Sequence, residues 1–178
     1  GEWSSVLRQT FGEYRAPTGV SATATANAPD AASDKVRAEV AAATDKLGRR
    51  PKVLVGKPGL DGHSNGAEQI ALRAQSAGFD VIYRGIRQAP DEIVELALSE
   101  GADIVGLSIL SGSHMVLAET VRDGLRERGL GHLPIVLGGI VPDADAAALR
   151  DLGIASVFTP KDYDLGTILR QVLEVAER

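Results

Sequence analysis

The sequence predicts an α/β fold in which helices cover both faces of a five-stranded parallel sheet. Three observations carry this expectation. From Pro51 onward, short apolar runs at 53–55, 79–83, 103–107, 134–137 and 155–158 alternate with segments of helical periodicity, the pattern of βαβ units. Pro90 and Pro142 fall where helices should begin, followed by the acids Asp91 and Glu92 or Asp143 and Asp145, which suit a helix N-terminus. Gly78, Gly101, Gly129 and Gly153 fall where helices should stop. Five strands at this spacing point to the flavodoxin-like (Rossmann-like) doubly wound order, with its switch point between the first and third strands.

Taken in order, the chain opens with a segment to about residue 19 that holds Trp3, Phe11 and Tyr14. These rings are too many for a free tail and too few for a core, so they are expected to dock elsewhere. Residues 21–30 are small and low in complexity and read as a linker. A helix is expected over 34–47, with Val36, Val40 and Leu47 on one side. The expected division is therefore a leading segment and linker at 1–50 and a sheet domain at 51–178. Within the latter, Ile70, Ala71, Ala74 and Ala77 share one helix face, and Leu117, Ala118, Val121 and Leu125 another. A last helix is expected over 165–176.

Composition excludes several classes. A net charge of -5 with dispersed basic residues leaves no nucleic-acid footprint. No apolar run reaches the roughly 18 to 20 residues of a membrane span, and no signal peptide is evident. The absence of cysteine excludes disulfides and thiolate chemistry and fits a cytoplasmic address. Met115 is the one methionine and the chain does not begin with Met, so a fragment of a larger functional unit is expected.

In open α/β sheets ligands bind outside the carboxyl ends of the strands. After the first strand comes a glycine-rich loop, 56–66, holding Lys57, Asp61 and His63. After the third comes Ser108 to His114, after the fourth Gly138-Gly139, and after the fifth Thr159-Pro160-Lys161. The second strand ends in Arg84-Gly85 and contributes less. A metal-binding histidine usually fixes its other ring nitrogen on a carboxylate. Asp61 is placed for that part, with Lys57 behind it. A bare Asp-x-His pair is more often mere loop decoration, and the switch-point location keeps both readings open. One His and one Asp do not close a zinc site. Either a metal brings most of its own ligands or there is none.

Asp61-x-His63-x-x-Gly66, then Ser108-x-Leu110, then Gly138-Gly139 resembles the three-part signature of cobalamin-binding domains of mutases and methionine synthase. From Pro51 to the end the chain resembles the carboxyl-terminal domain of the acyl-CoA mutases. The strings at 57–69 and 107–114 are most similar to members acting on ethylmalonyl-CoA, and 11–19 to the segment leaving their substrate barrel. The resemblance implies adenosylcobalamin as cofactor and His63 as lower axial cobalt ligand, with Asp61 hydrogen-bonded to it, Gly62 between them and Lys57 behind. It also implies that Ser108, Leu110, Gly66 and Thr159 border a slot for the nucleotide tail, where Gly138 and Gly139 leave room. The expected partners are a substrate-binding barrel domain and a second copy of the full enzyme, with no nucleic acid or membrane. The implied reaction is ethylmalonyl-CoA to methylsuccinyl-CoA, with methylmalonyl-CoA to succinyl-CoA second. The domain alone is expected not to turn over substrate. Ser64-Asn65 departs from the Asp-Arg pair of many methylmalonyl-CoA mutases, which bears on substrate and not on cofactor.

Rival readings are weaker. A phosphorylation receiver needs an acceptor Asp after the third strand, where this chain has Ser108. A flavin module would leave His63 idle. A corrinoid methyl carrier shares the three motifs but usually has a helical bundle ahead of the sheet. A detached small subunit of a two-chain mutase is countered by the first 20 residues. His114 is expected to cap a helix or touch the cofactor rim, and His132 to be solvated.

Overall fold

The computed structural model of the chain describes residues 31–162 and 164–176. The expectations for Trp3, Phe11, Tyr14 and the linker lie outside them. Five parallel strands, β1 (Lys52–Gly56), β2 (Asp80–Tyr83), β3 (Ile104–Ile109), β4 (Ile135–Gly139) and β5 (Ser156–Phe158), pair in the order β2-β1-β3-β4-β5. That is the doubly wound order expected. Two strands run further than the sequence suggested. Ser108 pairs with Gly138 and Ile109 with Gly139, so these residues form the last rungs of the ladder and not the loops beyond it.

Among the described residues, six helices connect and flank the strands: α1 (Ala31–Leu47), α2 (Asn65–Ala77), α3 (Pro90–Glu100), α4 (His114–Glu127), α5 (Asp143–Asp151) and α6 (Leu165–Ala176). Their ends follow local chemistry. Gly78 and Gly101 adopt positive φ, 106° and 63°, and turn their N–H groups back onto the last carbonyls of α2 and α3. Pro90 opens α3, where the Glu92 carboxylate accepts the Ala89 N–H at 2.7 Å. Pro142 sits one residue before α5. Asp164 accepts the N–H groups of Gly166 and Thr167 at the start of α6.

Strand alternation sorts the core into two layers. Leu54, Val105, Leu107, Ile109 and Leu137 face α3, α4 and α5. Val53, Val55, Ile104, Val136 and Phe158 face α1, α2 and α6. The helix α1 belongs to this second layer, where Val36, Val40 and Ala43 are each 1% exposed. Leu47, expected on the same side, lies past the packed stretch and is exposed. Glu39 accepts from Arg170 of α6 at 3.1 Å. The compact unit therefore begins at Ala31, and the helix groups with the sheet, not with the leading segment. No helix among the described residues is long and apolar enough to cross a membrane.

Candidate functional site

The loop between β1 and α2 is organised by one carboxylate. Asp61 Oδ2 accepts from Lys57 Nζ at 2.9 Å and from the Leu110 N–H at 3.3 Å. Its Oδ1 lies 3.0 Å from the His63 N–H and 2.7 Å from His63 Nδ1. The Lys57 ammonium is fully buried, and the Asp61 carboxylate is almost so. The lysine hydrogen bond, then the His63 backbone N–H, hold the Asp61 carboxyl well below the usual carboxylate range against the opposing effect of burial. An ionised carboxylate only accepts, so His63 Nδ1 must carry a proton. In the neutral ring the lone pair is then on Nε2. The imidazole is 83% exposed, so that lone pair is presented to the outside of the loop.

Gln88 was not singled out from the sequence, yet it anchors this loop. It is buried, accepts the Lys57 N–H through Oε1 at 2.9 Å, and donates its own N–H to the Lys57 carbonyl at 3.1 Å. Its carbonyl accepts from Gly59 N–H at 3.0 Å. A lone polar residue 31 positions from its partner carries no local signal.

Beside the loop is a cavity of about 270 Å³ between the sheet and helices α2 and α6. Its origin lies in the alternation of β3 and β4. Buried parallel strands normally carry bulk on both faces. Here Leu107, Ile109 and Leu137 fill one face, while Gly106, Ser108 and Gly138 leave the other open. Ile70, Phe158, Leu165 and Leu169 complete apolar walls. Of the residues singled out from the sequence, Gly66, Ser108, Leu110, Gly138, Gly139 and Thr159 line this space. Lys57 and Asp61 adjoin it through the backbone of Ser108 and Leu110. Gly62 and His63 lie outside it.

The two adjacent glycines differ. A Cβ on Gly138 would meet nothing within 4 Å, whereas one on Gly139 would lie 1.8 Å from the Ile109 carbonyl oxygen. Gly139 lines the cavity, but its missing side chain is also required by the neighbouring strand. His114 is buried, with Nε2 2.8 Å from Asp145 and Nδ1 3.4 Å from the Ser111 carbonyl. It ties the starts of α4 and α5 together and does not line the cavity. His132 is exposed in a turn. Among the described residues no three His, Cys, Asp or Glu side chains converge as a metal cage.

Comparison with known proteins places the chain in a family. The B12 binding domain family model matches residues 51–165. The chain is 52% identical over its whole length to ethylmalonyl-CoA mutase of Methylorubrum extorquens, of which it spans 25%. It is 43% identical over 106 residues to the 2-hydroxyisobutanoyl-CoA mutase small subunit of Aquincola tertiaricarbonis, matching 60% of this chain and 78% of that subunit. A solved cobalamin-binding protein from Desulfitobacterium hafniense shares the fold at a TM-score of 0.63 and 21% identity, over 80% of this chain and 67% of that one. The chain belongs to the B12-binding domain family, in the form that acyl-CoA mutases carry.

Proposed function

We propose that this chain binds adenosylcobalamin with the cofactor's own lower base displaced, as the cobalamin-binding domain of a carbon-skeleton-rearranging acyl-CoA mutase. The observation that carries the reading is the Lys57–Asp61–His63 relay standing beside an apolar cavity. Lys57 keeps Asp61 ionised, Asp61 fixes the His63 tautomer, and Nε2 is left as the donor atom for cobalt. A macrocycle supplies most of its metal's ligands, so one imidazole suffices. The cavity lies just below the roughly 300 to 1,000 Å³ of a pocket for a whole small ligand. It fits one arm of a larger ligand, and its apolar walls suit the flat aromatic base of the nucleotide tail. Gly66, Ser108, Leu110, Gly138 and Thr159 would border that arm. Leu60, Ile86, Val116 and Ile140 are exposed around the same edge of the sheet, an apolar rim consistent with a covering ring.

When bound, the cofactor supplies the radical that the rearrangement needs. This chain's residues hold and orient it. The 52% identity to an ethylmalonyl-CoA mutase supports ethylmalonyl-CoA as substrate, ahead of methylmalonyl-CoA. The substrate site then lies on a barrel domain in a homodimeric, cytoplasmic enzyme, and the chain alone does not turn over substrate. The match to a separate small subunit over 78% of its length supports a second arrangement, with the domain as its own chain. Titration with adenosylcobalamin followed by absorbance tests the binding mode. The expected spectrum is base-off with histidine coordinated, lost in His63→Ala. Binding with the cofactor's own base still on cobalt contradicts it.

A further inference from the structure

The loop from β2 to α3 is stitched to the His63 loop through Gln88 and a parallel bridge between Pro58 and Gln88. The preceding residue is anomalous. Arg87 has a φ of 60°, the one non-glycine residue with positive φ among those described. Left-handed backbone is strained for a residue bearing a Cβ and persists where the surroundings impose it, commonly at functional sites. Glycine would relieve that strain, and Gly85 two residues earlier already takes a φ of 95°. The Arg87 guanidinium lies over Gly62, where an added Cβ would stand 3.5 Å from Nη2. Arg87 is exposed and has no hydrogen bond or ion pair among the described residues. The nearby Lys57, by contrast, is buried and committed to Asp61. A free planar donor is thus held beside the residue that lies between Asp61 and His63.

We infer that Arg87 is a recognition residue for the lower rim of the corrin ring, donating to carbonyl oxygens of its side-chain amides. The inference rests on the cobalamin reading above. Corrin carries neutral carboxamides around its edge, and a guanidinium presents several donors in a fixed fork that can take two such oxygens. Strain at position 87 is then the cost of aiming that fork.

The test uses the whole chain, with adenosylcobalamin affinity read by absorbance at low and high salt and thermal unfolding read without cofactor. Arg87→Gly is expected to raise the unfolding temperature of the cofactor-free protein and to weaken cobalamin binding about tenfold, the scale of one charge-assisted hydrogen bond. The histidine-coordinated spectrum is expected to be kept at saturation. A loss that is equal at both salt concentrations supports a neutral amide acceptor. A loss that disappears in high salt marks the tail phosphate and overturns the assignment. If wild type shows the histidine-coordinated spectrum and Arg87→Gly binds equally well, only the role of Arg87 falls. If wild type leaves the base on cobalt, the cobalamin reading falls and takes this one with it.

Discussion

His63 Nδ1 lies 2.7 Å from Asp61 Oδ1, and the pair joins an exposed ring to a shielded carboxylate. The carboxylate is itself held by a fully buried lysine. A surface imidazole is thereby oriented by a charge pair that water barely reaches.

Breaking that pair should affect both the fold and the ligand. Asp61→Asn leaves the Lys57 ammonium buried without its counter-charge, and a loss of about 3–5 kcal/mol is expected in denaturant unfolding. Cobalamin affinity should fall about 10- to 100-fold, as for other residues that orient a metal-binding histidine. Lys57→Met combined with Asp61→Asn should recover much of the stability but not the affinity.

The same carboxylate sets a pH dependence. Its folded pKa is depressed by Lys57 and the His63 N–H, so the unfolded chain binds the proton more readily. Its contribution is complete above the unfolded value of about 3.9 and is lost as pH falls below that toward the folded value. The stability difference between wild type and Asp61→Asn should be flat from neutral pH to about 5 and shrink below about 4. A difference that grows on acidification would contradict the assignment.

The two glycines should separate room for a ligand from room for the protein. Gly138→Leu places a side chain into the cavity, with apo stability unchanged or raised and cobalamin affinity down at least about tenfold. Gly139→Ala forces a Cβ into the Ile109 carbonyl and should destabilise the apo protein by about 3 kcal/mol, a loss on the scale of overpacking. Unfolding of both variants without cofactor, followed by titration, distinguishes the two.

Removing residues 31–50 should unfold or weaken the sheet domain. Val36 and Val40 are buried against its second layer, and full burial of such side chains contributes about 1.5–3 kcal/mol each. A chain starting at Pro51 is expected to be less stable than one starting at Ala31 by about 3–6 kcal/mol in urea unfolding. Equal stability would return the domain boundary to residue 51.

The fold was legible because buried parallel strands read as apolar runs and the turns carry glycine and proline. The relay was legible for a local reason: Lys57, Asp61 and His63 fall within seven consecutive residues, and one loop brings them together. Gln88 was not, since its bond to Lys57 depends on how β2 lies beside β1. Gly106 was not singled out, because the cavity it opens exists only once both sheet faces are known. Gly139 was assigned to the ligand, and the adjacent strand also demands it.

The central claim is that the His63 nitrogen, and not the cofactor's own base, occupies the lower cobalt position. Electron paramagnetic resonance of the cob(II)alamin form tests this most directly, using protein whose histidines carry the heavy nitrogen isotope and unlabelled cofactor. An axial nitrogen from the protein should split each cobalt line into a doublet, and His63→Ala should abolish it. A triplet, from the cofactor's ordinary nitrogen, would contradict the account.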